Sequence, residues 1–427
     1  MTKIIFLILY LLTVAGQLLL KALNLQHRRT AKRQLPELFA ERIDQERLAR
    51  SEEYALAKDR VGLVETLVGV VLTVAFIFGG LLPWYDGLIG TMSDGFIING
   101  LLFFGIIVLV QSLVGIPFSL YRNFVLEERF GFNRMSVGLW LTDMVKSLLI
   151  GTLLFVVLVS GALWLVQAAP QSWWLWVWGF WAGLSVFLLL ISPYLIEPLF
   201  FTFKPLDKPE LEERVRSLLE RAGVTAGKIL QVDASKRSGH SNAYFTGIGK
   251  VKRVVLFDTL LEQLDDDELL AVLAHELGHW RLGHLRVRLI KGQIVALLSC
   301  FVAFYLLNAQ WLPGWFGIDD LSFAGQVLLL GWLAALLGFF WTPVSSWWSR
   351  RHERQADQFA IDLVGSGIPL ATGLVTLARE NLSNLFPHPL YAAVYYSHPA
   401  MIERVEWLQQ KTPTGSNFNA GTESAAN

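Results

Sequence analysis

Cysteine is nearly missing from this chain of 427 residues; Cys300 is its single representative and lies inside an apolar run. An intramolecular disulfide and a thiolate metal cluster within one chain are therefore excluded, and Cys300 reads as a small buried apolar residue. Any metal chemistry must rest on histidine and carboxylate. Net charge is missing too. With 36 basic residues against 36 acidic ones there is no general pull toward nucleic acid, and no nucleic-acid partner is expected. Charged residues make up only 17% of the chain, against 53% hydrophobic and 13% aromatic, a balance too apolar for an ordinary soluble domain. No internal repeat is present.

Seven stretches are long and apolar enough to cross a hydrocarbon layer, which takes about 20 residues. They fall at approximately 4–23, 61–82, 96–120, 147–169, 173–196, 292–312 and 323–348. Lys3 before the first run suggests a signal peptide, but the apolar stretch continues to Leu20, and to Leu23 if Lys21 snorkels. Basic residues fall on alternate connections. Ten lie from Lys21 to Arg60, and Arg122, Arg129, Arg134 and Lys146 follow the third stretch. None lies between the second and third stretches, between Lys146 and Lys204, or between Lys291 and Arg350. Seven crossings put every basic loop on one side, and positive charge marks the cytoplasmic side. The N-terminus is then outside and the C-terminus inside. Trp84, Trp173, Trp174, Trp311, Trp347 and Trp348 sit near the ends of these stretches, where amphipathic rings prefer the interface.

The segment His275-Glu276-Leu277-Gly278-His279 fits the His-Glu-x-x-His pattern of a metal-binding helix, so the expected organisation is predominantly α, a seven-helix integral membrane protein with a cytoplasmic catalytic domain of zincin type that contains a small β-sheet. Residues 1–196 hold the first five crossings and 197–291 a cytoplasmic catalytic region. Residues 292–348 hold the last two crossings and 349–411 a C-terminal catalytic region. Residues 412–427, rich in Ser, Thr, Gly and Asn, read as a disordered tail.

The chemistry is announced by His275-Glu276-Leu277-Gly278-His279. On a helix, residues four apart share a face, so both imidazoles can reach one ion, and Glu276 falls beside them to take a proton from water. Asp265 and Glu268 form an Asp-x-x-Glu capping pair that opens this helix. Leu269, Leu273, Leu277 and Trp280 then share one face, and His275 and His279 point the other way. Gly283 and His284 suggest an elongated motif with a third histidine, but their intervals from His279 are four and five rather than three and six. His284 therefore reads as a helix-surface residue near the membrane. A catalytic zinc keeps three protein ligands and one open position. Glu353, in Arg351-His352-Glu353-Arg354-Gln355-Ala356-Asp357, is the best third ligand. Asp357, one turn on, can accept a hydrogen bond from a ligand imidazole and fix its tautomer. His352 competes, but lies about 100° around the helix from Glu353.

At these residues the chain resembles the integral-membrane CAAX prenyl endopeptidase family of zinc metalloproteases, in its bacterial-type form. Beyond the two metal segments, Ser241-Asn242-Ala243-Tyr244-Phe245 is similar to the family's substrate-groove segment. Ser397-His398-Pro399 followed by Arg404 is similar to its C-terminal His-Pro…Arg motif, and the loop from Glu127 to Asn133 is also family-like. The resemblance implies a gluzincin with one zinc per chain and seven helices around a large water-filled chamber, with the metal near the cytoplasmic end. Eukaryotic members remove the last three residues of prenylated CAAX proteins. A bacterial inner-membrane protein of this kind would act on membrane proteins or peptides, lipidated or not.

Each added motif also reads from its residues. Stretches 229–233, 243–247 and 253–257 look like short strands, with Gly247-Ile248-Gly249-Lys250 as a turn. An exposed edge strand could hold an extended peptide, with Asn242 anchoring its backbone; otherwise Asn242 is a turn residue. His398 could steady the oxyanion and Arg404 could position substrate or His398; otherwise the pair caps a helix. If the motif helix runs unbroken to residue 292, the metal lies about 20 Å from the start of the sixth crossing. Three rival readings are weaker. A site-two protease would carry Asn-Pro-x-x-Asp-Gly, and a smaller stress-linked membrane protease has fewer crossings. The third is a non-enzyme, a transporter or scaffold with a vestigial metal site, and charges buried within the spans would favour transport.

Overall fold

The computed structural model describes residues 2–30, 35–246 and 251–411. The expected turn at 247–250 and tail at 412–427 lie outside the described residues. Among the described residues, seven helices are long and apolar enough to cross a membrane: Thr2–Arg28, Gln45–Phe78, Phe96–Phe130, Val137–Ala168, Trp173–Phe200, His284–Asn308 and Phe323–Val364. They correspond one for one to the expected stretches. Leu12, Val71, Leu149, Leu298 and Leu337 are among many large apolar side chains left exposed on them, the surface a bilayer covers.

Several of these helices outrun their apolar parts, because hydropathy reports the membrane-crossing centre and not the helix ends. The second starts at Gln45, where the Asp44 carboxylate accepts from the Arg47 N–H at 2.7 Å. It closes in a π-helical turn at Val74–Phe78, and a separate helix, Leu81–Gly90, begins where the stretch was expected to end. The last long helix, Phe323–Val364, has 42 residues. At 1.5 Å per residue it is about 63 Å long, enough to cross a bilayer and carry Glu353 and Asp357 well beyond it.

Four strands form one sheet in the order β1 (Phe203–Pro205), β2 (Thr225–Val232), β4 (Val251–Phe257), β3 (Ala243–Thr246). β2 and β4 are parallel, and β3 pairs antiparallel with β4 from Ala243 opposite Leu256 to Thr246 opposite Arg253. β3 is therefore an edge of the sheet among the described residues. β1 was not foreseen, since three residues ending in proline carry no alternation to detect. The sheet is fastened to the end of the fifth crossing helix: Tyr244 donates its hydroxyl to Glu197 at 2.7 Å, and Arg253 donates to the Pro193 carbonyl at 3.0 Å.

Over the sheet lies the motif helix, Asp266–Arg281. Asp265 caps it, accepting from the Glu268 N–H at 2.8 Å. The reciprocal half of the expected pair does not form. Glu268 instead takes Arg42 at 2.6 Å and Thr376 at 3.4 Å, tying the helix start to two other segments. Leu269, Leu273 and Leu277 are buried in the main core with Leu218, Val254, Leu256 and Val375, while Trp280 packs at its margin. The opposite face is covered too, because the last long helix packs against it. They approach closely at Gly278, where an added Cβ would stand 3.0 Å from the Ala356 Cα. A side chain there would push Ala356, and with it Glu353, away from the histidines.

The motif helix does not run on into the sixth crossing. Gly283, at φ 72°, turns the chain in the left-handed region, and the next helix starts at His284 itself. The estimate of an unbroken helix from His279 to residue 292 is corrected accordingly.

Candidate metal centre

Three side chains from two helices converge on one point. His275 Nε2 and His279 Nε2 are 3.1 Å apart. Glu353 Oε2 is 3.4 Å from the first and Glu353 Oε1 is 3.3 Å from the second. Zinc bonds of about 2.0–2.1 Å at tetrahedral angles would separate their ligand atoms by about 3.3–3.4 Å. Two imidazole nitrogens with no carbon between them, facing a carboxylate, fit a cation in that space. Glu353 is 3% exposed, and its Oε2 is buried without a hydrogen bond among the described residues. Such an atom is costly unless something charged satisfies it.

The surrounding contacts hold each imidazole in the tautomer that frees Nε2. His275 Nδ1 is 2.8 Å from Asp357 Oδ1, so Nδ1–H donates to that carboxylate. Asp357 in turn is gripped by Arg404, whose Nε and Nη2 donate to its two oxygens at 2.8 and 2.6 Å. Arg404 is itself buried, its Nη1 lying 3.7 Å from Glu353 Oε2. Burial, and then the Arg404 charge, push His275 toward its neutral form. The Asp357 and Glu353 carboxylates outweigh them and raise its pKa, which describes a pocket that favours positive charge.

His279 is oriented by a residue that the sequence reading placed elsewhere. His284 is buried, not on a helix surface; the Gly283 turn folds it back so that its Nδ1 lies 3.0 Å from His279 Nδ1. Its Nε2 is 3.0 Å from Gln355 Oε1. One proton arrangement satisfies the row: His279 Nδ1–H donates to His284 Nδ1, and His284 Nε2–H donates to Gln355. His352, the rejected competitor, stacks on His284 with ring centroids 4.1 Å apart and accepts from the Trp348 indole N–H at 3.1 Å.

The remaining candidates surround this group. His398 is exposed, with Nε2 3.4 Å from Glu353 Oε1 and Nδ1 2.9 Å from Ser397 Oγ. Its loop follows the helix Pro389–Tyr395, whose end is clasped by Arg350 donating to the carbonyls of Ala392, Ala393 and Tyr396 at 3.2, 3.2 and 2.7 Å. Glu276 is partly exposed beside its ligand neighbour. Asn242 is exposed at the foot of β3, its own Oδ1 accepting from the Ala243 N–H at 2.8 Å. A cavity of about 610 Å³ is lined by His398, Arg404, Asn381, Lys58, Asp59, Tyr54, Tyr391, Tyr395 and Tyr396, among others. A second, of about 490 Å³, is bounded by Glu65, Arg122, Asn123, Glu127 and Arg237.

Comparison with known proteins covers nearly the whole chain. Residues 24–202 match the family profile described as CAAX prenyl protease N-terminal, five membrane helices, and residues 205–412 match that of peptidase family M48. This chain belongs to the CAAX prenyl protease family of M48 peptidases. It is 35% identical to the CAAX prenyl protease 1 homolog of Arabidopsis thaliana, across 87% of this chain and 89% of that one. To the CAAX prenyl protease 1 of Saccharomyces cerevisiae it is 33% identical, over 90% of both chains. The crystal structure of S. mikatae Ste24p superposes with a TM-score of 0.87 at 31% identity, covering 96% of this chain and 99% of that one. As an M48 CAAX prenyl protease homologue, the chain is a multi-pass membrane metalloendopeptidase.

Reasoning from sequence gave no supporting role to His284, Gln355 or Arg350. Gln355 stood inside the segment already read for Glu353 and Asp357, and His284 was weighed only as a ligand. Histidines with no room to be ligands are worth testing as partners of the ligands.

Proposed function

We propose that this M48 protease binds one zinc ion through His275 Nε2, His279 Nε2 and Glu353, and hydrolyses peptide bonds in membrane-associated proteins or peptides. The observation that carries the reading is the mutual spacing of those three groups, 3.1–3.4 Å, around a buried carboxylate oxygen. When bound, zinc supplies a Lewis acid that polarises water and the scissile carbonyl. Glu276 removes the proton from the attacking water and returns it to the leaving amine. His398, exposed at the edge of the ligand group, donates to the oxyanion as it forms. Asp357 holds His275 in register, and Arg404 acts through Asp357 rather than on the substrate. β3, an edge strand, takes the peptide as an added strand with Asn242 at its entry.

The basic loops favour an orientation with the N-terminus outside and the catalytic groups at the cytoplasmic face, in a bacterial inner membrane. Lipidated C-terminal peptides, the class for which the relatives are named, are the first substrates to test. Membrane proteins without lipid are a second class, favoured by the charged side chains Lys58 and Asp59 among the tyrosines of the cavity beside His398.

Detergent-purified protein should carry one zinc per chain by elemental analysis and cleave a quenched peptide library. Chelation should remove both, and zinc should restore both. Cleavage that survives complete removal of metal would refute the assignment. His284→Ala should weaken zinc by about 10–100-fold, measured by competition with a chelator, because it releases the His279 ring from its outer partner.

A further inference from the structure

His240 belongs to neither the ligand group nor the chemistry above, yet it lines both cavities. Its ring stacks on Phe132, with centroids 4.3 Å apart and planes inclined by 21°. Nδ1 lies 2.8 Å from Asn381 Oδ1. The amide is fixed in that sense because Asn381 Nδ2 donates to the Leu377 carbonyl at 3.0 Å, so Nδ1 must carry a proton. Nε2 faces Glu127 Oε2 at 3.4 Å. The other oxygen of Glu127 accepts from the Tyr54 hydroxyl at 2.7 Å, leaving Oε2 buried without a hydrogen bond among the described residues. A lone pair on Nε2 pointing at that oxygen would be repelled; a second proton converts the contact into an ion pair. Both neighbours are satisfied only by the imidazolium.

The main chain around this ring leads into β3. The His240 carbonyl accepts from Thr259 Oγ1 at 3.0 Å, and the neighbouring Ser241 hydroxyl donates to Gln263 at 2.6 Å. Ser238 is bridged to Asn133, and Gly239 N–H donates to the Phe132 carbonyl at 2.9 Å, so the lead-in is laid against the end of the third crossing helix. Asn242 is two residues further on.

We propose that protonated His240, clamped between Glu127 and Asn381, is a positioning residue that sets the entry of β3 against the membrane helices and so tightens peptide binding. The proposal rests on the reading of β3 as the substrate strand. Glu127 comes from the third crossing helix, Tyr54 and Lys58 from the second, and Asn381 from the end of the helix Ile368–Glu380. His398 and Arg404 share its cavity. Of these, Glu127 raises the His240 pKa most, against burial and the Lys58 charge. With the folded pKa raised, the clamp is complete below the ordinary histidine value and is lost as pH climbs through the raised one.

The test is peptide KM and kcat for the full-length wild type, His240→Gln and Glu127→Gln at about pH 6 and about pH 8.5, on either side of the histidine range. Wild-type KM should rise by roughly tenfold between them, the difference between a charge-assisted and a neutral hydrogen bond. Both variants should show the high KM at both pH values, with kcat tracking the wild type. Peptide affinity measured in a Glu276→Gln background reads the same ratio without turnover, so a failure of the proposed catalytic site leaves this test intact. If His240→Gln does not fold, Glu127→Gln decides. Variants that keep the wild-type pH curve of KM, or that change kcat alone, would overturn the proposal.

Discussion

Glu276→Gln should lower kcat by about 10²–10⁴-fold and leave the zinc content at one per chain. Gln keeps the size and hydrogen-bonding reach of Glu but cannot accept the proton of the attacking water. The metal should stay, because Glu276 is not among the three groups within reach of one ion. The measurement is cleavage of a quenched peptide library together with elemental analysis of the same preparation. Loss of cleavage with zinc retained separates the base from the ligands. Loss of zinc as well would make Glu276 a ligand or a structural support, and equal cleavage by both proteins would assign the activity to a contaminant.

Arg404→Met should destabilise the protein by about 3–5 kcal/mol, the cost of stranding a buried charge. Side-chain exposures of 7% for Arg404 and 1% for Asp357 leave almost no water to take over the pairing. The loss should appear as a lowered midpoint of thermal unfolding in detergent. Arg404→Met with Asp357→Leu should recover much of that stability, because both charges are then gone, yet zinc binding should remain weak since His275 has lost its acceptor. A single variant as stable as the wild type would mean that the guanidinium is not needed to balance Asp357. It would then be free for substrate, the role first considered for Arg404.

The crossings were legible because the bilayer imposes the same requirement on every one of them: about 20 apolar residues, with basic loops on one side. That rule says nothing about where a helix continues outside the lipid. It therefore missed the start at Gln45 and the break after Phe78. The pair His275 and His279 was legible because helical spacing is local. Arg404 and Asp357 meet across 47 residues and His284 and Gln355 across 71, distances over which no periodicity speaks. His284 was misplaced for a backbone reason: one positive φ at Gly283 reversed the direction in which its ring points. Glu268 illustrates the opposite failure. Its spacing from Asp265 satisfied the capping rule, but Arg42, 226 residues away in sequence, had the stronger claim on its carboxylate.

The two halves of the proposed metal site are made at different times. A ribosome adds His275 and His279 before it has begun the sixth and seventh crossings, while Glu353 follows the apolar part of the seventh and Arg404 follows Glu353. A half-synthesised chain thus has two histidines and no carboxylate to close the set. The site cannot be completed until the last long helix is threaded through the bilayer and Ala356 has settled on Gly278.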